Sequence, residues 1–376
     1  PYDTDECVAY TVPVGQPNAV LRALAIDLGD DERPEGYVWV GGYSARMWWK
    51  LDPRTGEEIS SVSVPVSPYG GVVTADGKLW IGVLSGNSFA YVDTTNNTVS
   101  PVIPFPNFRG RSGSYGITAD GNGRVWIAGW GGRDVIGYDP ALEQWTVVDT
   151  TGFNSTVGRG ITVDGQNRIW APLESNPTRM AVFDSDDFVP GGVVPGNEVR
   201  VYTPPGSRTG ASGIGADANG KIWLAHYNAP SELVRLDPVT EEFDVFTGPR
   251  QVYTYSDFTG QVRRTIVGEG IYQVEAEAEC DSPDWDLMHF DTETPEGSTI
   301  TFTASSAPTH DDLDLAPQLE LAAVPGSVSP TAVGPLFDEA QIPQNRFMRV
   351  SIFLEVNDDG VSPVLREFRL TWFCKN

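Results

Sequence analysis

Short apolar or alternating runs, each closed by Asp, Gly, Asn or Pro, fill the first two thirds of the chain. Runs of this length and punctuation predict strands joined by tight turns. One run recurs around a tryptophan: Tyr37-Val38-Trp39-Val40, Lys78-Leu79-Trp80-Ile81, Arg124-Val125-Trp126-Ile127, Arg168-Ile169-Trp170-Ala171 and Lys221-Ile222-Trp223-Leu224. The tryptophans lie 41, 46, 44 and 53 residues apart. Before each comes a short run of small apolar residues (Ala23–Ile26, Gly71–Val73, Tyr115–Ile117, Arg159–Ile161, Ser212–Ile214) and then an acid: Asp27, Asp76, Asp120, Asp164 and Asp217. After each, a third run ends at Asp52, Asp93, Asp139, Asp184 or Asp237, followed in three cases by Pro53, Pro140 and Pro238. Asp accepts from backbone N–H groups two residues on, and proline presets φ for a turn, so both sets predict hairpin ends. A fourth, outer run follows, as in Glu58–Val64.

Four short strands per unit, at a spacing of about 40 to 50 residues, predict the blades of a β-propeller. Five units are plain. A sixth can be assembled from Val252–Gly260 and the stretch after it, without the tryptophan. Cys7–Val14 reads as an isolated strand, used as the outer strand of the last blade to close the ring. Six blades are favoured, with seven as the alternative. The repeated Trp and Asp residues are assigned to architecture, because a catalytic group is needed once.

Near residue 270 the period stops. Tyr272–Glu277, Ser298–Thr303, Phe347–Val356 and Leu365–Phe373 alternate with period two, which predicts half-buried antiparallel strands. Their extent suits a β-sandwich of jelly-roll or immunoglobulin-like type. The fold class is therefore all-β: a propeller over 1–270 and a sandwich over 271–376, with long loops expected between about 306 and 340.

Composition narrows the partners. The chain has 376 residues and a formal charge of −26, which repels nucleic acid phosphates and anionic membrane surfaces. No apolar run is long enough to span a bilayer. The sequence starts at Pro1 without a signal peptide, so a processed or trimmed N-terminus is expected. The three cysteines, Cys7, Cys280 and Cys374, lack metal-ligand spacing. A Cys280–Cys374 disulfide closing the C-terminal region is the preferred pairing, with a bridge from Cys7 to either as the alternative. A disulfide implies an oxidising compartment, hence an extracellular or cell-surface location, or the periplasm.

Candidate chemistry lies where blades differ. Innermost strands start near Arg22, Tyr69, Tyr115, Arg159, Ser212 and Tyr255, giving a ring of guanidinium, phenol and hydroxyl groups suited to a carboxylate or sugar-like ligand. Among the three histidines, His226 lies three residues past Trp223, where other units have Gly42, Val83, Gly129 and Leu173. That makes it a candidate general acid or base, with Glu174 one blade away as a catalytic partner. The acidic run His310–Asp314 could bind Ca²⁺ but lacks EF-hand spacing. No other cofactor is expected.

The element Tyr115-Gly-Ile-Thr-Ala-Asp-Gly-Asn-Gly-Arg-Val-Trp126-Ile, closed by Tyr138-Asp-Pro140, resembles the repeats of the streptogramin B lyase (virginiamycin B lyase) family and of NHL-type propellers. The layout also resembles uncharacterised exported myxobacterial proteins, which implies a cell-surface or extracellular place. The lyase resemblance implies opening of a cyclic depsipeptide by Mg²⁺-dependent elimination, with His226 as base. The leading expectation is different: an exported, non-catalytic binding or structural module. Its partners would be other protein copies or cell-surface components, including carbohydrate.

Overall fold

The computed structural model describes all residues except 1–7, 9, 31, 34, 85, 107–113, 133, 207–208, 218, 229–231, 248–251, 255–268, 357–361 and 375–376. It divides into two compact units, Pro1–Val267 and Gly268–Asn376.

The first unit carries the repeated sheets. In the first blade the strand order is Leu21–Ile26, Val38–Gly42, Met47–Leu51 and Glu58–Ser63, each antiparallel to the next. The fifth follows the same order with Ala211–Ala216, Ile222–His226, Glu232–Leu236 and Phe243–Thr247. The second, third and fourth blades are built alike around Lys78–Gly82, Val125–Ala128 and Arg168–Glu174. Trp39, Trp80, Trp126 and Trp170 are at most 1% exposed. Some reach the next blade: Trp80 meets Tyr138 at 5.8 Å and Trp126 meets Phe183 at 5.2 Å between ring centroids.

The recurring Asp has a double task. Asp120 Oδ1 accepts from the backbone N–H groups of Asn122 and Arg124, at 3.0 and 2.9 Å, and so closes the hairpin. Its Oδ2 accepts from the Trp126 indole at 2.8 Å. Asp164 with Trp170 and Asp217 with Trp223 repeat this arrangement, each with a 2.7 Å indole bond. Asp27 does the same for Trp39 at 2.8 Å across a longer loop, using Gly29 and Tyr37 N–H. One buried carboxylate thus fixes a turn and orients the packed indole.

The second blade corrects the alignment. Asp76 does not take that place. The Trp80 indole donates to Thr74 Oγ1 at 3.2 Å, and Asp76 instead accepts from the Thr74 hydroxyl at 2.5 Å and pairs with Lys78. Counting six residues back from tryptophan gives Asp120, Asp164 and Asp217, but Thr74 here.

The start of the inner strand is crowded in the third, fourth and fifth blades. An ideal Cβ on Gly116 would lie 2.5 Å from the Arg159 carbonyl oxygen, and one on Gly213 would lie 2.7 Å from the Thr254 carbonyl oxygen. Only a residue without a side chain permits adjacent inner strands to approach so closely. Each residue just before such a glycine (Tyr115, Arg159, Ser212) is thereby held at the narrow end.

The strand expected over Cys7–Val14 does not form in its described part. Tyr10–Val14 has no strand pairing; Tyr10 donates its hydroxyl to the Pro53 carbonyl at 3.0 Å and lies over Gly56. Val14 packs with Trp49 and Leu51 of the first blade. Pro13 withholds one ladder donor, and the apolar face of this blade supplies the burial instead. Cys7 and most of the sixth unit lie outside the described residues.

The second unit has a four-stranded antiparallel sheet, ordered Glu269–Glu277, Phe347–Glu355, Thr299–Ala307 and Leu319–Val324. A second sheet is ordered Thr331–Ala332, Pro283–Glu293 and Val364–Cys374. Both contribute to one apolar cluster, in which Trp285 and Met288 from the smaller sheet join Phe302 and Val350 from the larger. Phe290 stacks on Phe302 at 4.7 Å. Cys280 and Cys374 form a disulfide with an S–S distance of 2.10 Å. The stretch expected as loops carries two of these strands and the short helix Gly334–Glu339, because Leu321, Ala322 and Phe337 supply buried apolar groups.

Candidate functional site

Side chains from several blades meet at the crowded end of the inner strands. Tyr69 and Tyr115 share a hydroxyl–hydroxyl hydrogen bond of 2.9 Å, and the Tyr115 hydroxyl also bonds that of Tyr253. The Arg159 guanidinium lies 4.7 Å from the Trp130 ring, 4.9 Å from Tyr227, and 5.9 Å from both Tyr115 and Tyr253. It pairs with Glu174 at 3.0 Å and donates to the Tyr227 hydroxyl at 3.4 Å. Arg22 lies over Tyr69 at 5.6 Å, and Tyr43 meets the same ring edge-on at 5.8 Å.

Arg22, Tyr69, Tyr115 and Arg159 are linked by this chain of contacts. Tyr255 lies outside the described residues, and Tyr253 is the tyrosine that joins the cluster. Ser212 is buried; its hydroxyl lies 3.1 Å from the Val252 carbonyl oxygen and 3.2 Å from that of Ala225. Val252–Thr254 thus runs beside the inner strand of the fifth blade.

Trp130, Tyr227 and Tyr43 were absent from the sequence expectation. They share a signal with Glu174: all stand four residues after a repeat tryptophan, where the second blade has Leu84. The position three residues after the tryptophan holds Gly42, Val83, Gly129, Leu173 and His226. In a strand, that one-residue step turns a side chain to the other face. His226 sits in register opposite Ala211 and is 0% exposed.

Burial dominates the charges. It raises the Tyr115 hydroxyl far above its ordinary range, and the bonds to Tyr253 and Tyr69 add to this. Burial pulls Arg159 down, but the Tyr227 bond and the Glu174 charge outweigh it, so its pKa rises. Burial lifts the Glu174 carboxyl above the usual range despite the pull of Arg159. The pair therefore holds its cation firmly and its anion loosely. Chemically, this is a caged arginine ringed by tyrosines, with aromatic faces turned to solvent: Trp130 is 36% and Tyr253 49% exposed.

A cleft of 620 Å³ lies elsewhere, at the outer edge of the second and third blades, lined by Tyr91, Pro101, Phe105 and Trp145 among others. Aromatic residues and prolines line it together with Lys78 and Glu143, and no arginine is among its lining residues. Among the described residues no group of three His, Cys, Asp or Glu side chains could hold a metal ion.

The fold is that of a β-propeller resembling the virginiamycin B lyases. Selenomethionine-substituted virginiamycin B lyase from Staphylococcus aureus aligns with a TM-score of 0.50 and 15% identity, over 64% of this chain and 74% of that one. A catalytically inactive variant of that enzyme with quinupristin gives 0.51 and 16%, over 65% and 76%. Hydrazine synthase from Kuenenia stuttgartiensis gives 0.50 and 14%, over 64% and 70%. Identities this low show fold and nothing finer. No family model matches the chain. No curated protein matches it either.

Proposed function

We propose that the chain is an exported recognition module, without catalysis, whose propeller mouth binds a sugar-like ligand bearing a carboxylate. The observation that carries this reading is the convergence of Tyr43, Tyr69, Tyr115, Trp130, Arg159, Tyr227 and Tyr253 at one end of the inner strands. Partly exposed Trp130 and Tyr253 supply flat apolar faces for a sugar ring. Arg22, which is exposed, and caged Arg159 supply positive charge in a chain of net charge −26. A carboxylate then has an orienting partner, bound best as a two-pronged pair with a guanidinium. The Cys280–Cys374 bond supports export, since such bonds persist in oxidising compartments.

The competing reading is a lyase-like elimination with His226 as base and Glu174 beside it, supported by the fold likeness. A general base must reach its substrate. His226 has no exposed surface, and Glu174 is paired with Arg159. These observations favour binding over elimination.

Calorimetric titration with hexuronic acid oligosaccharides tests the proposal. Binding is expected, weakened about tenfold by Trp130→Ala through loss of a stacking face. The neutral hexose analogues should bind more weakly than the acids. Equal binding of acidic and neutral sugars would remove the carboxylate from the proposal. No binding of either, together with Mg²⁺-dependent opening of a cyclic depsipeptide that His226→Ala abolishes, would replace the proposal with the lyase reading.

A further inference from the structure

In the second unit, the Val364–Cys374 strand pairs only with Pro283–Glu293 among the described residues, so its other edge has no partner strand among them along its 11 residues. That is about twice the usual strand length. Long edges are ordinarily blunted by proline, short length, charged side chains or bulges; this one has no proline, and its charges, Arg366, Glu367 and Arg369, are of both signs beside a bulge at Arg366. Here Leu365, Phe368, Leu370 and Trp372 pack against the core while staying part-exposed, and Val364 and Phe373 are 43% and 63% exposed.

The charges on this strand are unevenly satisfied. Arg366 pairs with Glu293, and on the other sheet Arg346 and Arg349 pair with Glu277 and Glu275. Glu367 and Arg369 take part in no ion pair among the described residues. Glu367 lies directly across the ladder from Asp291, and like charges in opposed positions are destabilising. Between Glu367 and Arg369 stands Phe368, half-buried beside a groove that it lines with Tyr272, Val274, Leu354 and Leu365.

We propose that this edge pairs antiparallel with the same edge of a second copy, about a two-fold axis at Phe368. Antiparallel pairing centred on one residue sets the residue before it opposite the residue after it. Glu367 then faces the partner's Arg369, and Arg369 faces the partner's Glu367. Both charges lacking partners are satisfied, the repulsion from Asp291 is offset, and the open N–H and C=O groups are paired. The edge is self-complementary, which is the requirement for a two-fold interface. An axis perpendicular to the sheet keeps like faces together, so the groove beside Phe368 meets its own counterpart and covers Tyr272, which is 56% exposed. The contact is one strand wide, so the dimer is concentration-dependent.

Analytical ultracentrifugation of the full chain over a concentration series tests this. The wild type should dimerise. Arg369→Glu alone and Glu367→Arg alone each set like charges opposite one another twice and should weaken the dimer by about tenfold or more. An equimolar mixture of these two variants restores both oppositely charged pairs and should form a heterodimer, which also shows that each variant folds. A wild type that stays monomeric at every concentration reached would overturn the proposal. So would a dimer insensitive to both substitutions, or a mixture no more associated than its components.

Discussion

At the turn end of the blades, Asp27, Asp120, Asp164 and Asp217 each hold two backbone N–H groups and one indole. At the mouth, the residue before the inner-strand glycine is Tyr115, Arg159 or Ser212, and the residue four past the tryptophan is Tyr43, Leu84, Trp130, Glu174 or Tyr227. The same strands connect the two ends. The turn end repeats because each blade must solve the same closure problem. The mouth varies because its residues face each other around a ring and need only be complementary. Sameness marks what holds the blade, and difference marks what can meet a ligand.

Removing a repeated carboxylate should have the largest effect on stability. Asp120→Ala leaves the Trp126 indole and two turn N–H groups unsatisfied in a buried place, and should cost about 3 kcal/mol or more in urea denaturation. The second blade sharpens the point. Thr74→Val should cost about 1 to 2 kcal/mol because Thr74 receives the Trp80 indole. Asp76→Ala should cost less than about 0.5 kcal/mol, since Asp76 is exposed. Trp130→Ala at the mouth should cost clearly less stability than Asp120→Ala, about 1 to 2 kcal/mol from its lost packing on Arg159 and Tyr115, while weakening ligand binding. If Trp130→Ala unfolds the protein as Asp120→Ala does, the division between holding and meeting fails.

The smallest effects are those of pH, and they have opposite signs. Hydrogen bonds from Lys221 and from turn N–H groups lower the Asp237 carboxyl from 3.8 to about 2. Its contribution is present above pH 3.8 and lost as pH falls through about 2. Asp237→Asn should therefore flatten the acid limb of stability in that window. Glu174 is raised above 4.5, chiefly by burial, so its contribution grows as pH falls through the raised value and is lost as pH rises. Glu174→Gln should remove that rise, read from urea midpoints across mildly acidic pH.

The five blades are legible in the sequence because their closure chemistry is local: Asp120 and Trp126 stand six residues apart and bond directly. The same locality explains the misplacement of Asp76, since any nearby acid resembles the holding residue until the indole geometry singles out Thr74. Half of the mouth is legible, as glycine crowding fixes Tyr115 and Arg159. The other half depends on which face of a strand a residue takes, and the step from His226 to Tyr227 changes that face. Tyr253 is hidden because the sixth unit has no tryptophan to set its register. Tyr10–Val14 has a strand's alternation, yet its burial comes from Gly56 and Trp49 rather than from a ladder.

A crystal structure with an acidic oligosaccharide bound is the most direct test that the mouth is the ligand site. The account predicts a sugar ring against Trp130 and Tyr253, with its carboxylate toward Arg22 and Arg159. A ligand seated in the cleft by Tyr91 and Trp145, with the mouth empty, would contradict it.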